Sequence, residues 1–255
     1  MKKIALVLAA VLLAQIGFAK APEDSTVPLV FKDGEGKTLL YRQYVTPRLP
    51  VGTKVPLVLF FHGAGERGSD NVAQLTHGVK PIIRYCASKK IPVALIAPQC
   101  PVGKQWVDTP WSATDHRMDP KPSEQMKLAM ELLQDRIDTL PVDKNRIYVT
   151  GVSMGGYGTW DILQREPGLF AAAIPVCGGG DRHLAETMRN VPIWVFHGSE
   201  DSAVPVCRAR KMVSALWECN GNVRYHEYYG AGHLIWGPTY DNPEVLAWLF
   251  AQKKK

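Results

Sequence analysis

The chain has 255 residues, room for one large domain or two small ones, and no shift of composition divides it, so a single domain is expected. Apolar residues make up 46% of it and charged residues 21%, scattered rather than blocked, which supplies a sizeable core and excludes long disorder. The net charge of +6 is modest and its one basic run, Lys253 to Lys255, reads as a solvated tail, so no nucleic-acid partner is expected.

At the N-terminus, Lys2 and Lys3 precede the apolar run Ile4 to Phe18 and the small residues Gly17 and Ala19, the layout of a secretory signal. Cleavage is expected after Ala19, since a cut after Ala21 would put Pro22 at the new terminus. Residues 1–19 are then the signal, and residues 20–255 form one domain that carries a charge of +4 once Lys2 and Lys3 have left. The run is shorter than the roughly 20 residues that span a bilayer, so the mature chain is expected to be secreted or periplasmic, without membrane insertion. Five cysteines, Cys86, Cys100, Cys177, Cys207 and Cys219, would travel with it, and the odd count leaves one over. None has metal-site spacing. Cys207 and Cys219 are a candidate pair, and the alternative is that all five are small core residues.

Val27 to Thr46 reads as two strands around the Asp33-Gly34 turn signal. Short apolar runs then recur at 56–61, 92–97, 146–150, 171–176 and 192–197, each bounded by turn residues, with a last strand at Val223 to Tyr229. Such runs suit strands buried on both faces. Between them lie stretches of helical period, most clearly Ser123 to Leu140, where Met126, Ala129, Met130, Leu133, Ile137 and Leu140 share a face and Pro141 stops the helix. Alternation of this kind predicts an α/β fold, a mostly parallel sheet with helices on both faces behind an N-terminal antiparallel hairpin. Ligands of such sheets sit beyond the carboxyl ends of the strands.

Each of those ends carries chemistry. After 56–61 comes "HGAGERGSDN". After 146–150 comes Gly151-Val152-Ser153-Met154-Gly155, a G-x-S-x-G pattern between a strand and a helix. "HGSEDSAVP" with Asp201 follows 192–197, and "GAGH" ending at His233 follows the last strand. Serine, acid and histidine thus occur in that order. Side chains at 151 and 155 would collide with neighbouring elements, while Gly156 and Gly158 let the following helix lie close to the sheet. Gly230 and Gly232 suit a loop that brings His233 close to Ser153. Asp181 and Glu200 compete with Asp201 as the acid, Asp181 being better suited to cap a short helix. His62 precedes the tight turn and suits a loop-fixing role.

These four segments resemble the serine esterases of the α/β-hydrolase superfamily. They are most similar to secreted carboxylesterases, feruloyl and acetylxylan esterase-like proteins and polyhydroxybutyrate depolymerase-like proteins, a group often described as predicted peptidases. The resemblance spans about Val27 to Gln252 and implies a catalytic triad of Ser153, Asp201 and His233. It also implies an oxyanion hole formed by the backbone N–H of Met154 and that of Ala64 or Gly65, with no metal or organic cofactor. It departs from dienelactone hydrolases in having serine at 153 and from prolyl oligopeptidases in lacking a propeller.

The stretch 98–122, rich in proline and tryptophan, is too long for a simple connection and is expected above the strand ends, where Trp106, Trp111 and Trp236 either form an apolar or aromatic acyl or sugar site or pack against the sheet edge. Glu66 and Arg67 could bind a carboxylate or a sugar hydroxyl, but are expected to stiffen their loop through a mutual contact. The expected partner is a small-molecule or polysaccharide-linked ester, feruloyl, acetyl or another small acyl ester. A serine peptidase and a non-catalytic carbohydrate-binding module are the alternatives.

Overall fold

Eight short runs become the strands of one sheet in the computed structural model, which describes residues 21–254. The expected export signal and its cleavage point lie outside the described residues. Strands β1 (Val27–Lys32) and β2 (Thr38–Val45) form the antiparallel hairpin, its turn held by Asp33 Oδ1, which accepts the N–H groups of Glu35 and Lys37. Next come β3 (Val55–Phe61), β4 (Ala94–Gln99), β5 (Val142–Val152), β6 (Ala172–Val176), β7 (Ile193–Gly198) and β8 (Val223–Tyr228). Their order across the sheet is β1-β2-β4-β3-β5-β6-β7-β8, and every pairing from β4 to β8 is parallel.

Helices cover both faces, which is why β3, β4 and β6 are buried along their whole length. Leu57, Leu59 and Phe61 of β3 pack with α2 (Glu124–Thr139), α3 (Met154–Arg165) and α4 (Cys207–Glu218). Val58 and Phe60 pack on the opposite face with α1 (Val79–Ser88), α5 (Trp236–Tyr240) and α6 (Pro243–Ala251). Helix α2 starts where Ser123 Oγ accepts the N–H of Met126, a serine N-cap, and ends ahead of Pro141. Two strands differ from expectation in extent. β4 lies two residues further on because it takes its register from β2, with Val45 opposite Ala94. β5 starts four residues early, where Val142 pairs with Val55 across a bulge.

The long connection after β4 crosses the carboxyl ends of the strands and is fastened along its length. Trp106 Nε1 donates to the His62 carbonyl at 3.1 Å, and Ser123 Oγ donates to the Trp106 carbonyl at 2.7 Å. Further on, Tyr157 Oη, Arg208 and Lys211 donate to the carbonyls of Trp111, Ala113 and Thr114 at 2.9, 3.2 and 2.9 Å. Asp181 accepts from the Met118 N–H, and Arg165 donates to the Asp119 carbonyl.

Trp106 is therefore a core residue, which corrects its expected place in a substrate site. Its indole has no solvent exposure and lies tilted against Phe61 with ring centres 4.9 Å apart, and the side chain fills the notch left by Gly158, where a Cβ would come within 3.1 Å of Trp106 Cβ. The Cys207–Cys219 pairing is corrected as well. These residues stand at opposite ends of α4, about 18 Å apart at 1.5 Å per residue, well beyond the roughly 7 Å that a disulfide tolerates. All five cysteines are free thiols. Among the described residues no helix is long and apolar enough to cross a membrane.

Candidate active site

Strand β5 turns into α3 at Ser153, whose backbone is held at φ 56° and ψ −118°. A non-glycine residue in so sparsely populated a region costs of order 1–3 kcal/mol, which the surroundings must offset. They do so by close packing. A Cβ on Gly155 would stand 2.0 Å from the Phe61 carbonyl oxygen, and one on Gly151 would stand 2.4 Å from the Gly155 carbonyl oxygen. The Ser153 N–H is tied to the Val176 carbonyl at 2.9 Å. Serine at a helix start normally turns its hydroxyl back onto the helix amides, but Ser153 makes no such bond. Its Oγ instead meets His233 Nε2 at 2.8 Å.

The loops after β7 and β8 meet at Gly198, where a Cβ would lie 2.1 Å from the Gly232 carbonyl oxygen. Glu200 N–H donates to the Ala231 carbonyl at 2.9 Å and Gly230 N–H to Ser199 Oγ at 2.8 Å. The close approach of these two loops thus rests on Gly198. Gly232 is uncrowded and Gly230 serves its positive φ of 71°. Across this seam His233 Nδ1 meets Asp201 Oδ2 at 2.6 Å. Partner chemistry sets the tautomer: Nδ1 carries the proton facing the carboxylate, and Nε2 offers its lone pair to Ser153.

Asp201 is buried, and burial alone would raise its pKa. Hydrogen bonds from His197, from His233 and from the Val204 N–H outweigh that effect and hold the carboxyl well below the usual carboxylate range. Oδ1 accepts the N–H groups of Ala203 and Val204 at 2.9 and 2.8 Å. Oδ2 has a second histidine at 3.2 Å, the wholly buried His197, whose Nε2 also meets the Val204 carbonyl at 2.9 Å. Since only an N–H can serve that carbonyl, His197 carries its proton on Nε2, and its buried Nδ1 has no partner.

The competing acids lie elsewhere. Asp181 caps the short 3-10 helix Arg182–Met188 by accepting the His183 N–H, and Glu200 is solvent-exposed. His62 fixes the loop after β3: Nε2 accepts the Cys100 N–H at 2.9 Å, and Nδ1 faces the Gly63 carbonyl at 2.6 Å. Burial pushes its imidazole down to about 4, so it is neutral. No acceptor among the described residues takes the N–H of Met154, Ala64 or Gly65. Glu66 and Arg67 do not contact each other as expected. Glu66 faces His77, whereas Arg67 donates to the Ala64 carbonyl and lies over the Trp111 ring at 5.6 Å.

Half-buried Trp236 stands edge-on to His233, with ring centres 5.3 Å apart. Trp111 lines a cavity of about 590 Å³ that reaches Ala203, two residues from Asp201. A cavity of about 600 Å³ bordered by Tyr44, Leu49 and Ile91 lies at the amino ends of β3 and β4, away from this chemistry. Three neighbours escaped the reading of the sequence: His197, His77 and Cys177. Cys177 has φ 48°, and its Sγ lies 3.4 Å from the His233 carbonyl oxygen. Cys177, Asp201 and His233 bring ligand atoms within 4.8 Å of one another, the one such grouping among the described residues. The set fits a metal poorly, because burial pushes the thiol pKa far up and the carboxylate already has four donors.

The chain is similar to known proteins in sequence and in fold. Residues 49–241 match the phospholipase/carboxylesterase family. The crystal structure of a thermostable esterase superposes with a TM-score of 0.83 at 39% identity, covering 91% of this chain and 64% of that one. A mutant feruloyl esterase module from Clostridium thermocellum, complexed with sinapinate, superposes with a TM-score of 0.65 at 13% identity over 90% of this chain and 89% of that one, a likeness of fold alone. An uncharacterized secreted protein of Arthroderma benhamiae is 27% identical over 222 residues, 72% of this chain. The chain matches 22% of that relative's length.

Proposed function

Because the chain belongs to the phospholipase/carboxylesterase family, we propose that it is an exported serine esterase acting through Ser153, His233 and Asp201. The observation that carries this reading is the unbroken line from Ser153 Oγ through both ring nitrogens of His233 to Asp201 Oδ2, at 2.8 and 2.6 Å. His233 Nε2 takes the hydroxyl proton as Ser153 Oγ bonds to the ester carbonyl carbon, whose π electrons move onto oxygen. That oxyanion is received by the Met154 N–H and by the N–H of Ala64 or Gly65, each donor worth on the order of a hundredfold in rate. The carbonyl re-forms, the alcohol leaves with the proton from His233, and water releases the acid by the same steps in reverse. Asp201 stays ionised throughout and stabilises the imidazolium.

Feruloyl or acetyl esters of plant polysaccharide, or small acyl esters, are the substrates of this reading. Trp236 beside the base and the cavity under Trp111 support an aromatic-lined acyl site. Export is supported by the N-terminal signal pattern and by the secreted relative.

The test is hydrolysis of p-nitrophenyl acetate, p-nitrophenyl butyrate and methyl ferulate beside Ser153→Ala, with fluorophosphonate labelling of both proteins. Wild type is expected to turn over these esters and to label. The variant should lose about 10⁵-fold or more in kcat and should not label. Equal inactivity of both proteins, with Ser153 refractory to fluorophosphonate, overturns the reading.

A further inference from the structure

The ester mechanism leaves unused a second carboxylate beside the nucleophile. A Cβ on Gly63 would stand 3.6 Å from Ser153 Cβ and 3.0 Å from Glu66 Oε2. The missing side chain opens a corner with the nucleophile on one wall and a carboxylate oxygen on the other. Glu66 is steadied from behind by His77, whose Nε2 lies 3.5 Å from Oε1 and which is the partner its carboxylate meets among the described residues. The His77 ring is 5.2 Å from Trp236, itself edge-on to His233. Carboxylate, imidazole and indole therefore form one wall running from the oxyanion amides to the base.

An ionised carboxylate only accepts hydrogen bonds, and with its side chain 14% exposed Glu66 has little water to supply them. A substrate hydroxyl next to the scissile ester meets that demand by donating its O–H, whereas a carboxylate-bearing substrate does not. We propose that Glu66, held by His77, accepts a hydrogen bond from a hydroxyl of the alcohol moiety, so that the site favours esters of polyhydroxylated alcohols such as sugar units over simple alkyl esters. Trp236 supplies the flat apolar face beside them. This rests on the serine-esterase reading above.

A matched pair differing by one hydroxyl tests the proposal: 2-hydroxyethyl acetate against ethyl acetate, compared by kcat/KM for wild type, Glu66→Gln and Glu66→Ala. The ratio within one preparation is independent of the fraction of active enzyme, so a variant that folds poorly still reports. A charge-assisted hydrogen bond predicts a wild-type preference of about tenfold or more for the hydroxyl-bearing ester, collapsing to near unity in Glu66→Ala and falling between in Glu66→Gln. A purely structural role for Glu66 would lower both rates and leave the ratio, which overturns the proposal. A wild-type ratio near unity with normal p-nitrophenyl acetate turnover overturns it too and leaves the esterase reading standing. If wild type hydrolyses no ester at all, both readings fall.

Discussion

His197 sits four residues before Asp201, and the two side chains meet inside the protein with no solvent exposure. Its Nε2–H is shared between the Asp201 carboxylate and the Val204 carbonyl, so it pins both the acid and the loop that carries it. We predict that His197→Phe lowers kcat about tenfold or more with little change in KM. His197→Gln, whose amide N–H can replace that donor, should recover part of the loss, and steady-state kinetics on p-nitrophenyl acetate would show it. That Ser153, Asp201 and His233 come together was legible because each follows a strand in a telling order. His197 was not, because it reads as the last residue of an apolar run. Trp106 misled for the opposite reason. An aromatic residue in a long polar loop looks like a ligand wall, and only the notch at Gly158, 52 positions downstream, makes it core.

The turn from β5 into α3 is an element whose shape depends on absent side chains. A methyl group on Gly155 would enter the Phe61 carbonyl oxygen at 2.0 Å, against backbone that cannot step aside. Gly155→Ala should therefore destabilise by roughly 3 kcal/mol or more, if it folds at all. Gly168→Ala, at a position with nothing within 4 Å, should stay within about 1 kcal/mol of wild type, and urea denaturation of the pair checks both. Most strands were legible as apolar runs, because strands covered on both faces need no polar alternation. The start of β5 was hidden, since Asp143, Lys144 and Asn145 look like a turn while pairing begins at Val142. The meeting of the β7 and β8 loops at Gly198 was hidden too, because a sequence shows which residues are small but not what they must let past.

Taken whole, the molecule buries groups that resist acid. The His62 imidazole, ordinarily near 6.5, is pushed down to about 4 by burial, so the folded state refuses a proton that the unfolded chain accepts. The stability this gives is complete above pH 6.5 and is lost as pH falls towards 4, by about 3 kcal/mol in all. Denaturation midpoints should decline across that window, and His62→Asn should flatten the slope by about one proton even if its absolute stability is lower. Asp201 acts in a lower window: its depressed carboxyl contributes above pH 3.8, and that contribution fades as pH falls further. The connection over the strand ends is fastened at Trp106, Trp111, Ala113, Thr114, Met118 and Asp119 by bonds to α3, to α4, to His62 and to Asp181. A connection held at so many points should not swing, so an oil–water surface would have nothing to unlock. The rate should rise smoothly with ester concentration through the solubility limit, without the jump seen when droplets open a flap, and chains too bulky to be enveloped should still present their ester groups at the rim.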